Sequence, residues 1–286
     1  MKHCETNKMY ILKEVNKPSM DSQKSSAHWI VHGSSEQEKP EEKSSHQEMP
    51  EMPEMPDEIS NLLRLQTNGV IGINEFIDFG YKAKKEYWVI FEKQDSDLLD
   101  YICKYYISES FARKTILSLV DILLDMYHKA NLMHMDVKPE NILVDYLSGD
   151  IKLCDFDFCV PTDTENGYVD MKHLLGTLSY MSPEVLHKIC FPTKSVVWSI
   201  GLCAYVMYFD VPWDEYCGQA SVNDLQFTER WSPEFKQFVL ACVSPDVTKR
   251  IDLLDIKSHD WLKMPIESET PNASLKTRSL MLTQSL

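Results

Sequence analysis

His134-Met135-Asp136-Val137-Lys138-Pro139-Glu140-Asn141 sets three different chemical groups on one short loop. A long amphipathic stretch precedes the loop and the apolar Ile142-Leu143-Val144 follows it, so it joins a helix to a strand. Phosphoryl transfer needs three groups close together. A carboxylate orients and deprotonates the attacking hydroxyl, a cation stabilises charge on the moving group, and an oxygen ligand holds Mg2+. Asp136, Lys138 and Asn141 supply them in that order. Asp155 comes fourteen residues after Asn141, just past the apolar Ile151-Lys152-Leu153-Cys154, and offers a second metal ligand. A few carboxylate or amide oxygens, completed by phosphate oxygens, are what Mg2+ prefers. His134 is expected to be a packed core histidine under the loop.

Working outward, the helix before the loop starts at a Ser108 cap, and Ile116, Leu119, Val120, Leu123, Met126, Tyr127 and Ala130 keep i, i+3, i+4 spacing. Further upstream, Asp57–Leu65 has helical apolar spacing. Ile71–Phe79 and Tyr87–Phe91 have the pattern of strands joined by a basic turn over 80–85. After Glu184 the pattern is helical to about Leu262, and the run Val196–Phe209 is too short to span a bilayer and suits a buried core helix. A small strand-bearing part before a larger helical part predicts an α+β fold with two lobes. Residues 1–17 hold one apolar stretch suited to a strand, as a remnant of the smaller lobe. Residues 18–56, rich in Ser, Glu, Lys and Pro and ending in three Glu-Met-Pro copies, are expected to be a disordered insert. The domain is placed at 57–264, divided into 57–94 and 95–264, with a disordered tail over 265–286.

The chain has 286 residues and a net charge of −15. Nine acids against two lysines between Gly33 and Glu58 account for −7 of that charge. An acidic surface argues against nucleic acid and anionic membrane as partners. The eight cysteines form no metal-spaced pair and sit mostly in apolar runs, and no signal-peptide-like stretch begins the chain. The expectation is a cytoplasmic or nuclear protein with reduced thiols.

The opening loop resembles the H-R-D-x-K-P-x-N catalytic loop of protein Ser/Thr kinases, and Asp155-Phe156-Asp157 resembles their D-F-G. Gly176-Thr177-Leu178-Ser179-Tyr180-Met181-Ser182-Pro183-Glu184 resembles the substrate-side loop ending in A-P-E. Val196-Val197-Trp198-Ser199-Ile200-Gly201 resembles D-V-W-S-x-G, Pro245 to Arg250 the P-x-x-R segment, and Ser258 to Leu262 the closing H-P-W-L. Among kinases the likeness is greatest to the PIM group, and similarity covers about Asp57 to Leu262, roughly seven tenths of the chain. The resemblance implies a two-lobed kinase-like fold with a complete, mainly helical C-lobe and a truncated N-lobe. It implies that Glu184 pairs structurally with Arg250. It implies that Glu58 holds an ATP-binding lysine, for which Lys13 of Tyr10-Ile11-Leu12-Lys13 is the candidate. It also implies that Phe91 is a gatekeeper and that the backbones of Glu92 and Gln94 face adenine. ATP and Mg2+ are the expected cofactors and a protein the substrate, with a basic Ser/Thr peptide preference following from the PIM likeness and the acidic surface.

The chain departs from the family pattern at three places. No G-x-G-x-x-G occurs, so the glycine lid over the ATP phosphates is missing. Met135 stands where the family has the arginine that neutralises a phosphate on the activation segment. Loss of a phosphate at Thr162, Thr164, Tyr168 or Thr177 is therefore not expected to switch the protein off. Asp157 replaces a glycine, at an expected backbone cost. The function expected is protein Ser/Thr kinase, the alternatives being a catalytically inactive scaffold or a truncated form of a longer kinase.

Overall fold

The computed structural model describes residues 9–16, 26–28, 55–74, 76–83, 86–209, 222 and 225–266. The chain divides into two compact units, Met1–Ser60 with Asn74–Lys93, and Asn61–Ile73 with Gln94–Leu286.

The first unit is built on an antiparallel sheet of four strands, β1 (Tyr10–Asn16), β2 (Ser26–His28), β3 (Phe76–Ala83) and β4 (Glu86–Glu92), in the order β2-β1-β4-β3. Tyr87, Val89 and Phe91 of β4 are buried while the residues between them are not, the period of two that a strand with one covered face shows. Lys13 sits mid-strand, opposite Val89 on one side and Ala27 on the other. Within the segment 18–56, expected to be a disordered insert, Ser26–His28 form β2 and pair antiparallel with β1. The rest of that segment up to Glu54, and the tail from Glu267, lie outside the described residues. The strand expected from Ile71 begins only at Phe76, and it continues through Gly80–Ala83, where a turn was expected. Phe79, Gly80 and Tyr81 keep register with Val89, Trp88 and Tyr87. Gly80 admits the Trp88 ring, which would stand 2.5 Å from any added Cβ.

Helix α1 (Asp57–Thr67) starts in the first unit's segment and continues into the second, with Ile59, Leu62 and Leu65 buried at i, i+3 spacing. The residues after it belong to the second unit, unlike the expected 57–94 division. Ile73 bridges Leu153, the Leu153 N–H donates to the Gly72 carbonyl at 2.8 Å, and Lys129 Nζ donates to the Gly69 carbonyl at 3.1 Å.

In the second unit a two-residue strand, β5 (Ser96–Asp97), leads into α2 (Leu98–Lys104), then α3 (Glu109–Asp125). Ser108 Oγ accepts from the Phe111 N–H at 3.0 Å, the cap expected from sequence. Helix α3 passes into one π turn, Met126–Ala130, which ends on Asn131 in left-handed backbone, φ 48°. That turn delivers the chain into β6 (Leu132–His134). The candidate loop follows, and then β7 (Ile142–Val144) and β8 (Ile151–Leu153) pair as expected, with β5 on the β7 edge. Strand β9 (Cys159–Pro161) pairs with β6, so the chain entering the loop is bonded to the chain leaving Asp155.

Short strands β10 (Val169–Asp170) and β11 (Ile189–Cys190) flank helix α4 (Pro183–Leu186). Helix α5 (Pro192–Phe209) is buried on nearly every side, as its unbroken apolar run predicts, and no helix among the described residues is long and apolar enough to cross a membrane. Helices α6 (Pro233–Cys242) and α7 (Asp260–Lys263) complete the helical part. Phe235 and Phe238 of α6 pack on Trp261 with ring centroids 5.3 and 4.7 Å apart. Each such ring, fully buried, contributes about 1.5–3 kcal/mol. Glu109 ties α3 to this cluster, accepting from the Trp261 ring N–H at 2.8 Å and the Ser232 N–H at 2.9 Å. No disulfide forms among the described residues. Cys190, Cys203 and Cys242 are buried, and burial pushes the Cys190 thiol up to about 12.

Candidate functional site

The loop after β6 gathers Asp136, Lys138 and Asn141 around one carboxylate. Asp136, only 2 % exposed, accepts on Oδ2 from Asn141 Nδ2 at 3.0 Å, with Lys138 Nζ 3.1 Å away. Its Oδ1 accepts from the Thr177 N–H at 2.7 Å. Lys138 Nζ also donates to Thr177 Oγ1 at 2.7 Å, so the lysine spans the loop and the activation segment. Asn141 Nδ2 donates again to the Asp136 carbonyl at 2.8 Å. Burial works to raise the Asp136 carboxyl, but the Lys138 charge and the Thr177 hydrogen bond outweigh it and hold it below the ordinary aspartate range.

His134 supports this arrangement from below, as expected. The Asp136 N–H donates to Nδ1 at 3.1 Å, so Nδ1 is the acceptor and Nε2 carries the proton. Nε2 then donates to the Cys154 carbonyl at 3.0 Å. Complete burial lowers the imidazole pKa, which keeps it neutral and fit for both bonds. One ring therefore links the backbone of Asp136 to the residue before Asp155. The Cys154 N–H donates to the Asn141 carbonyl at 3.0 Å, which brings the backbone of Asp155 alongside that of Asn141.

Asp155 is itself in left-handed backbone, φ 65°, and Phe156–Phe158 form a 3-10 turn. The strain expected at Asp157 is corrected here. Asp157 lies inside that turn with negative φ, and the unfavourable angle is carried by Asp155 instead. Asn61 Nδ2 holds the turn through the Phe156 carbonyl at 2.9 Å.

Met135 is 7 % exposed, with its Sδ 3.8 Å from Cys190 Sγ on β11. An apolar contact fills the position where the family resemblance places an arginine. Glu184 and Arg250 meet as expected. Nη1 and Nη2 of Arg250 donate to Oε1 and Oε2 at 2.6 and 2.9 Å, and Ser182 and Ser195 hydroxyls add 2.7 Å bonds to Oε1. Burial would raise the Glu184 carboxyl, yet Arg250 and the serines hold it below the ordinary glutamate range.

In the first unit, Lys13 Nζ donates to Glu58 Oε1 at 2.7 Å. Tyr87 Oη donates to Glu58 Oε2 at 3.3 Å, a partner the sequence did not single out. Its position at the start of an alternating strand gave only burial as a signal. Phe91 is buried on β4, and Glu92 closes the strand opposite Tyr10, whereas Gln94 belongs to the second unit's segment.

The sequence model of the protein kinase domain family matches residues 1–262, taking in β1 and the whole acidic segment. The chain is 30 % identical over 213 residues to Serine/threonine-protein kinase pim-2 of Danio rerio, covering 73 % of this chain and 66 % of that protein. It is 31 % identical over 193 residues to testis-specific serine/threonine-protein kinase 2 of Mus musculus, covering 63 % and 53 %. It is 27 % identical over 227 residues to Serine/threonine-protein kinase PAK 1 of Mus musculus, covering 74 % and 40 %. The chain thus spans less than two thirds of the length of these relatives.

Proposed function

Because the chain belongs to the protein kinase family, we propose that it transfers the γ-phosphoryl group of ATP to a Ser or Thr hydroxyl of a protein substrate. The observation that carries this reading is the buried Asp136 carboxylate, held ionised between Lys138, Asn141 and the Thr177 N–H. An ionised carboxylate fixed from three sides has its proton-accepting oxygens aimed before substrate arrives, the preorganisation a general base needs. Asp136 accepts the substrate hydroxyl proton. Lys138, tied to Thr177 Oγ1, holds positive charge beside the transferred group.

The donor set fits Mg2+. Asn141 spends its Nδ2 on Asp136, which leaves the amide oxygen to face a metal, and Asp155 adds a carboxylate from the adjoining backbone. Mg2+ held by these two residues would neutralise charge on the ATP phosphates. Lys13, fixed by Glu58, is assigned to the ATP phosphates, and Phe91, Glu92 and Gln94 to adenine. The acidic net charge favours a basic Ser/Thr peptide as substrate. A pure scaffold would have no use for a base, a cation and an amide ligand gathered on one carboxylate, with a second carboxylate on the adjoining backbone.

The test is phosphoryl transfer from Mg-ATP to a basic Ser/Thr peptide, together with the thermal shift produced by Mg-ATP. Wild type is expected to transfer and Asp136→Asn to lose about 10²–10⁴-fold while still folding. Absence of both nucleotide stabilisation and transfer in wild type would overturn the reading and leave the scaffold.

A further inference from the structure

Gly176 comes closer to the catalytic loop than any side chain would permit. Its φ is +101°, a region L residues rarely adopt. A Cβ at this position would lie 2.8 Å from the Met135 carbonyl oxygen, 3.1 Å from Asp136 Oδ1 and 3.4 Å from Asp136 Cβ. The loop cannot readily give way. The Met135 N–H donates to the Phe158 carbonyl at 2.9 Å, the Asp136 N–H is bonded to His134, and the Asp136 carbonyl is bonded to Asn141. A side chain at position 176 would therefore displace the activation segment. The next residue along it is Thr177, whose N–H and hydroxyl make the bonds to Asp136 and Lys138.

We propose that Gly176 is a positioning residue for the base: only without a side chain can residue 176 seat the Thr177 N–H on Asp136 Oδ1. The proposal rests on the assignment of Asp136 above. Backbone strain alone does not explain the site, and the chain supplies its own control. Gly167, in the same segment, has φ +72° with nothing within 4 Å of an added Cβ. Alanine there meets the same kind of backbone cost but touches nothing.

The test compares Gly176→Ala and Gly167→Ala in the full chain. By NMR, the wild-type Thr177 amide, bonded to Asp136 Oδ1, should exchange slowly with solvent and lose that protection in Asp136→Ala. In Gly176→Ala the Thr177 amide should likewise exchange faster and leave its wild-type shift. In Gly167→Ala it should match wild type. In the transfer assay Gly176→Ala should lower kcat by about 10²-fold, the cost of a shift of roughly an ångström, with the KM for ATP little changed. Gly167→Ala should stay near wild type.

Equal behaviour of the two variants overturns the proposal, as does an unmoved Thr177 amide or an unmoved kcat in a folded Gly176→Ala. Should that variant not fold, the wild-type Thr177 amide decides: protection that is lost in Asp136→Ala upholds the contact, and protection that survives refutes it. Wild type that transfers no phosphate counts against the kinase reading alone, because the NMR comparison still reports on Gly176.

Discussion

Lys13 Nζ and Glu58 Oε1 stand 2.7 Å apart, brought together across 45 residues of chain. The lysine side chain is 17 % exposed and the glutamate 1 %, so this pair is largely out of water. Lys13→Met deprives a buried carboxylate of its cation and is expected to destabilise the protein by about 3–5 kcal/mol in urea unfolding. The double change Lys13→Met with Glu58→Leu should regain most of that stability and none of the phosphoryl transfer. If the double variant transfers normally, Lys13 is not the ATP lysine.

Met135 lies against Cys190 in a buried, apolar position. Met135→Leu conserves volume and should cost less than about 1.5 kcal/mol. Met135→Arg buries a guanidinium there and should lower Tm by several degrees, at about 2–4 °C per kcal/mol. Phosphatase treatment of the purified wild type should leave its transfer rate unchanged. A rate that collapses on phosphatase treatment, and that is lost likewise in one of the Thr162, Thr164 or Tyr168 alanine variants, would show that a phosphate is needed after all.

The Thr177 hydroxyl is already engaged by Lys138. Thr177→Ala should therefore slow transfer by about 10–100-fold, the worth of a hydrogen bond to a charged group, without any phosphate being involved. Thr177→Ser keeps the oxygen and should stay near wild type. Equal loss in both variants, measured as kcat, would assign the role to the methyl group instead.

Glu184 has its carboxyl held low by Arg250 despite burial. A group with a depressed folded pKa stabilises above its unfolded value and loses that contribution as pH falls through the folded one. Glu184→Gln should therefore cost about 3–5 kcal/mol at neutral pH, because Arg250 is left buried without its carboxylate. The two proteins should converge in urea midpoint as pH drops below the ordinary glutamate value of about 4.3. A difference that persists unchanged into acid would mean that the ion pair is not its source.

Local pattern carried much of this architecture. Ser108 announced the start of α3, the apolar run announced α5, and Ile142–Val144 and Ile151–Leu153 announced a strand pair. The groups around Asp136 were legible because their types and spacing state a chemistry. What escaped depends on contacts distant in sequence. The continuation of β3 through Gly80 depends on the Trp88 ring across the sheet, and the transfer of Asn61–Ile73 to the second unit on bonds to Leu153. Strain at Asp155 rather than Asp157, and the role of Gly176, follow from how two loops approach one another, which no single-chain periodicity encodes.

The π turn at Met126–Ala130 also acts as a spacer. Each residue in a regular helix advances the chain by about 1.5 Å and turns it by about 100°. A π turn uses one residue more than an α turn to close the same turn, so deleting one residue between Met126 and Ala130 would make the helix regular and leave the start of β6 nearly where it is. The same deletion inside α3 would swing β6 through that angle and misdirect Asp136. A one-residue deletion should therefore spare phosphoryl transfer at the π turn and abolish it within α3.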